Sequence, residues 1–287
     1  MRQGITENLS FRKIIVSEKA DFWRGGIDLR KVRFTYKMEL QFDSVVHGHF
    51  FSLRTFPMRL PEQQICGFSW ALDPAAQLTF QQDCFGNTVG AGCYMAPHHV
   101  FCYQMDGVAW IDPMRKKQEP CLACYRYPSA ACQMTDGMAL FLRQCSIIQH
   151  TAPLRQAEQL MQSLYEIFSY QAGVTTAQTT AGEAFALGCG VCQDYAQILI
   201  ALCRASGIAA RYVAGCIAGE GATHAWVEVY NHGFWYGLDP TQNKPVDDGY
   251  LKLAHGRDHL DCQLNRGIFC GNATQQQYVS VNLEEII

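Results

Sequence analysis

The chain has 287 residues, 48% hydrophobic and 17% charged, which provides for a sizeable core and excludes disorder over most of its length. A formal net charge of −3 leaves no broad basic field for nucleic acid or an anionic membrane, and the longest basic run, Arg115-Lys116-Lys117, reads as a solvated loop. The longest apolar run near the start, Ile14-Ile15-Val16, is far shorter than a signal-peptide core or a membrane span. A cytoplasmic location is therefore expected, with most of the fourteen cysteines kept as thiols and used as small buried hydrophobes.

Residues 1–31 read as a polar N-terminal extension broken at Gly25-Gly26. From Val32 the pattern alternates. Val32, Phe34, Tyr36, Met38 and Leu40 share one face, as a half-buried strand requires. "HGHFFSLRTFP" and "FQQDCFGNTVG" continue in that style, with a hairpin turn at Phe85-Gly86-Asn87. Helical periods are few, so residues 32–135 are expected to form an antiparallel β domain. Its last part, from 112 onward, carries Pro113, Pro120 and Pro128 and reads as a connection.

Residues 136–255 change character. Leu154, Ala157, Leu160, Met161, Leu164 and Phe168 follow helical spacing, with Pro153 suited to the first turn. A threonine-rich loop (174–180) leads to "GCGVCQDYAQ". There Tyr195, Ala196, Leu199, Leu202 and Cys203 mark a second helix stopped by Gly207. "IAARYVAG" is a strand, and "THAWVEVY" and "FWYGLD" are two more, joined as an antiparallel hairpin through a turn at Gly233. Residues 256–287 are expected to be a C-terminal loop and one final strand, "YVSVNLEEI".

Cys192 falls at the start of the second helix, facing unpaired backbone N–H groups and the positive end of the helix dipole. That location suits a nucleophilic sulfur, and the same N–H groups can receive the oxyanion of a tetrahedral intermediate. A thiol nucleophile needs a base, and the base needs an orienting group. The predicted hairpin supplies both: His224 opens one strand, Asp239 closes the next, and antiparallel pairing brings these ends together. Taken singly, His224 is also an ordinary strand histidine and Asp239 an ordinary turn former.

"GCGVCQDYAQILIALCRASGIAARYVAG", "HAWVEVYNHGFWYGLDPT" and "GRDHLD" together resemble the bacterial transglutaminase-like superfamily. "LRTFP" (53–57) and "DCFGN" (83–87) resemble the β domain that precedes that core in bacterial members. The resemblance runs from about residue 32 to the end. It implies an α+β fold with a papain-like core, in which a helix carrying the cysteine packs on an antiparallel sheet. It also implies a catalytic triad of Cys192, His224 and Asp239, acyl transfer through a thioester at Cys192, and no metal or other cofactor. Members of this architecture are commonly regarded as cysteine proteases; some have lost the triad and serve as scaffolds. Cys216 departs from the aromatic residue common at the end of that strand, which bears on the pocket wall. The short, small-residue segment 217–223 suggests an open site that suits a macromolecular substrate.

Three further residues are candidates for the substrate pocket. Gln193 follows the nucleophile, Trp226 shares the strand face of His224, and Cys189 could pair with Cys192 as a resolving thiol. Asp194 reads as an acidic residue favouring the helix dipole. Cys121 and Cys124 form a second Cys-x-x-Cys that with Cys189 and Cys192 could hold zinc. His98, His99, His255 and His259 show no metal-ligand spacing, and Arg257, Asp258 and Asp261 read as a structural charge pair. The expected protein is a thiol-dependent acyl-transfer enzyme acting on amide bonds of a protein or peptide: a cysteine protease or amidase, with transglutaminase or deamidase outcomes open. The alternatives are a catalytically silent binding module of the same fold and a Cys-x-x-Cys redox or zinc protein. Nothing in the sequence predicts an oligomeric state.

Overall fold

The computed structural model describes residues 12–14, 30–145 and 151–286. Most of the N-terminal extension lies outside the described residues, and Arg12–Ile14 (β1) adds a short strand to β3 (Gln63–Asp73).

The first sheet is organised by one strand, β2 (Arg30–Leu53), whose 24 residues far exceed the usual strand of about 5–6. A strand that long curls, so its two halves take different neighbours. The first half pairs with β6 (His98–Ile111) on one edge and β16 (Gln275–Glu285) on the other. The second half pairs with β5 (Thr88–Tyr94) and β15 (Asn265–Cys270). The register shifts between Gln41 and Val46, where the strand bends. β3 pairs with β6, and β4 (Leu78–Gln82) closes a hairpin on β5 whose turn includes Gly86 at φ 83°. The alternation read from the sequence has its physical counterpart: Val32, Phe34, Tyr36, Met38 and Leu40 are all buried on the inner face.

The second unit is a five-stranded antiparallel sheet ordered β13 (Lys244–Pro245), β12 (Phe234–Asp239), β11 (His224–Asn231), β9 (Ala210–Ile217), β14 (Tyr250–Gly256). On one face lie α2 (Pro153–Ile167) and α4 (Cys192–Ala205). Helix α4 is buried at every residue from Asp194 to Arg204, which makes it the centre of this core. Gly207, at φ 77°, ends it, with the Ile208 N–H donating back to the Cys203 carbonyl. The opposite sheet face packs on the first sheet: Cys216, Leu251 and Leu253 join Phe34, Tyr36 and Val281 in one cluster.

Two helices were not read from the sequence: α1 (Asp136–Gln144) and α3 (Ala181–Leu187). Each has a threonine cap, Thr135 and Thr180, and the latter forms a full capping box with Glu183. Of the described residues roughly 47% are in strands and 21% in helices, so the fold is richer in β structure than the α+β expectation. The reason is the return of the chain after residue 264: β15 and β16 both join β2 in the first sheet. Among the described residues no helix is long and apolar enough to cross a membrane.

Candidate active site

The approach to Cys192 is built from short, tightly held pieces. Gly188, in the left-handed region at φ 70°, ends α3. Residues Cys189–Gly190 (β8) then pair in parallel with Ser169–Tyr170 (β7). Val191 caps α4, and Cys192 is its first residue. One carboxylate oxygen of Asp194 accepts the Val191 N–H at 2.7 Å and the Thr175 hydroxyl at 2.7 Å. Asp194 therefore does more than favour the dipole: it ties the helix start to the preceding loop. Burial pushes its carboxyl above the ordinary range, against the pull of those two donors.

The sheet delivers the partners. His224 is the first residue of β11 and Asp239 the last of β12, with Val227 opposite Leu238 in the shared register. His224 Nε2 lies 2.7 Å from Asp239 Oδ2. Cys192 and His224 stand on the wall of one cleft, close enough for the sulfur to favour a charged imidazole. Burial works against a charged imidazolium, but Asp239 and Cys192 outweigh it and raise His224 to about 9. Asp239 is fully buried; burial resists its charge, yet His224 hold it below the ordinary carboxylate range, helped by Tyr250 and the Thr241 N–H. The second oxygen of Asp239 accepts the Thr241 N–H at 2.9 Å. All three side chains named from the sequence are thus brought together.

Cys192, Gln193 and His224 line a cleft of about 440 Å³. Tyr170 and His259 line it from the core, and Tyr36, Gln277 and Val279 from the first sheet. Gln193 faces this space, and its amide donates to the Thr176 carbonyl at 3.4 Å. Two other pocket expectations are corrected. Trp226 is 2% exposed and does not line the cleft; it packs on Val213 and Tyr250, behind the His224 ring. Cys189 is also absent from the cleft wall, because its strand precedes the helix and its partner there is Ser169. Cys216 is buried against the first sheet and does not shape the cleft.

The remaining sequence candidates take structural places. Arg257 pairs with Asp261 at 2.8 Å, and Asp258 accepts the N–H groups of Ala131 and Leu260. Cys121 and Cys124 pack around Tyr125 and Trp235, in a cluster separate from the one that holds Cys192, and burial raises both thiols. Among the described residues no three His, Cys, Asp or Glu side chains are grouped as a metal site requires. All fourteen cysteines are free. The sequence reading missed Tyr250, whose hydroxyl donates to Asp239 Oδ2 at 2.7 Å, and the first-sheet residues of the cleft. No local pattern marks them: Tyr250 comes from β14, which does not pair with the strand of Asp239, and the first-sheet residues reach the cleft through strand pairing distant in sequence.

A cysteine at the first turn of a buried helix, with an antiparallel sheet bringing a histidine–aspartate pair to its sulfur, is the arrangement of the transglutaminase-like class. Residues 145–240 match the family model "Transglutaminase-like superfamily", and residues 32–109 match "Bacterial transglutaminase-like N-terminal region". The chain belongs to the bacterial transglutaminase-like superfamily. An uncharacterized protein of Mycobacterium tuberculosis is 26% identical over 291 aligned positions, covering 89% of this chain and 92% of its own length. One from Mycobacterium leprae is 30% identical over 127 positions, covering 41% and 45%. Among solved structures, a "putative cysteine protease" from Cytophaga hutchinsonii shares the fold with a TM-score of 0.75, at 22% identity, over 91% of this chain and 92% of that one.

Proposed function

We propose that the protein is a thiol-dependent acyl-transfer enzyme acting on amide bonds of a protein or peptide. The observation that carries this reading is the His224–Asp239 hydrogen bond behind a cleft whose wall presents His224 together with Cys192. His224 holds the proton given up by the Cys192 thiol, and in the first step the ion-paired sulfur attacks the amide carbonyl carbon. Asp239 holds the imidazole in one orientation and stabilises its charged form. The Cys192 backbone N–H, free at the helix start, is placed for the oxyanion. His224 then returns the proton to the leaving amine, and the thioester left on Cys192 passes to an acceptor.

Hydrolysis is the outcome proposed first. A cross-linking enzyme must exclude water in favour of an amine, whereas the cleft residues Tyr170 and Gln277 are both exposed. Fourteen free thiols support a reducing, cytoplasmic setting.

The test offers a glutamine peptide with and without a primary amine and reads ammonia release, amine incorporation and backbone cleavage in parallel. Turnover abolished by Cys192→Ala, in a protein that still unfolds cooperatively, is the expected result. Activity that survives the substitution overturns the assignment. Iodoacetamide at neutral pH should label Cys192 faster than any other thiol; equal labelling would favour a silent scaffold.

A further inference from the structure

One edge of β16 is paired with β2 from Gln275 to Glu285 without a register shift. Its other edge is covered by β10 (Gly219–Gly221) at Val281, Asn282 and Leu283 alone. Among the described residues no strand pairs with Gln275–Ser280 on that side, and no loop backbone bonds to them. These six residues are exposed except Val279, which is half-buried. Natural proteins blunt open edges with proline, lysine, inward charges or bulges. Gln-Gln-Gln-Tyr-Val-Ser carries none of these.

The place of this edge gives it a use. Gln277 and Val279 line the same cleft as Cys192 and His224. β10 leaves the edge at Gly221, and the chain then turns through Ala222 and Thr223 into His224. Among the described residues the edge position beyond Gly221 is therefore unoccupied along the open side of the cleft. Six residues of strand span about 20 Å at about 3.3 Å each, enough to hold a peptide on both sides of a reacting residue.

We propose that an extended segment of the polypeptide substrate binds there as an added strand on β16, continuing the line of β10 past Cys192. This rests on the acyl-transfer reading above and names its substrate class: chain with unpaired backbone, such as an unfolded region or a tail, rather than the surface of a compact fold. Backbone pairing supplies affinity with little dependence on sequence, and only alternate side chains meet the cleft. The residues of β16 show the same alternation. Gln277 and Val279 face the cleft, while Tyr278 lies opposite Glu39 in the register and is exposed.

The experiment follows backbone amide exchange in the full-length Cys192→Ala protein, with β-casein as an unfolded, glutamine-containing probe and native ribonuclease A as a compact one. β-Casein should slow exchange at alternate amides of Gln275–Ser280 by about tenfold, equivalent to about 1.4 kcal/mol of added protection, and ribonuclease A should not. Unchanged exchange in that segment at saturating β-casein overturns the proposal, as does equal slowing by ribonuclease A. The nucleophile is read separately. Wild-type protein should release a burst of p-nitrophenol from p-nitrophenyl acetate, an ester too small to need the strand edge. If that burst is missing the enzymatic reading fails, and the exchange result still decides the edge.

Discussion

Tyr250 and His224 bind the same oxygen of Asp239, each at 2.7 Å. The phenol comes from β14 and the imidazole from β11, so two strands that are not neighbours in the sheet converge on one buried carboxylate. With Tyr250 and the Thr241 N–H both donating, the carboxylate cannot rotate away from His224 without breaking two other hydrogen bonds. Tyr250→Phe removes one donor and leaves the ring packed on Trp226. The Asp239 charge is then less neutralised and favours the imidazolium more strongly. The alkaline limb of the rate profile should move to higher pH, while stability falls by about 1.5–3 kcal/mol, the range for a hydrogen bond to a charged group. An unmoved limb would mean that Tyr250 only fills space.

The histidine–aspartate pair also predicts a pH dependence of stability. His224 is raised from 6.5 to about 9 on folding, so its contribution is complete below about pH 6.5 and lost as pH rises through about 9. Asp239 is lowered from 3.8, so its contribution is present above pH 3.8 and lost as pH falls through the still lower folded value. Urea unfolding of wild type and Asp239→Asn across pH 5 to 10 isolates the pair (about the range that brackets both limits of the His224 window). The difference between the two proteins should shrink between about pH 6.5 and 9. Lys252, which burial and Arg211 lower to about 8, is common to both proteins and cancels to first order.

Gly190 has no room for a side chain, because a Cβ there would collide with the Asp194 carboxylate. Gly190→Ala should cost about 1–3 kcal/mol through overpacking. It should also slow iodoacetamide labelling of Cys192 by disturbing the helix start. Asp194→Asn keeps an oxygen for the Val191 N–H and should be milder than Asp194→Ala, which leaves that donor without its acceptor. Equal effects of the two on the urea midpoint would show that the carboxylate does not tie down the loop.

Behind the site, Glu228 holds two buried cations, Arg211 at 2.6 Å and Lys252 at 2.6 Å. Arg211 also lies over the Trp235 ring, 4.1 Å from its centroid, and reaches Glu119 at 3.0 Å. Burial opposes the Glu228 charge, but the two cations hold its carboxyl far below the ordinary range. Glu228→Gln would leave two like charges buried side by side and should destabilise the fold by about 3–5 kcal/mol. A loss under about 1 kcal/mol, the level of an exposed pair, would show that water screens the cluster.

Much of the candidate site was legible because its parts are local. Cys192 follows a glycine-rich break and opens an apolar-periodic helix, and His224 and Asp239 sit at the two ends of one hairpin whose turn is visible in the sequence. The α1 and α3 helices were overlooked although both start with a threonine cap, because short helices give little periodicity to read. Trp226 was read as a pocket residue because it shares the His224 face of β11. That face continues into the sheet interior rather than along the cleft.

By itself the amino-acid sequence determined the strands and helices that alternate or repeat over a few residues, and the chemical character and chain order of the candidate residues Cys192, His224 and Asp239. Tertiary structure decided the rest: that β16 returns some 240 residues later to pair with β2, that Tyr250 meets Asp239, and that Gln277 and Val279 wall the cleft. Hydrophobic alternation states that a strand has a buried face but not which strand lies beside it. Partner choice depends on register and packing between distant segments, and these exist only once the chain has folded.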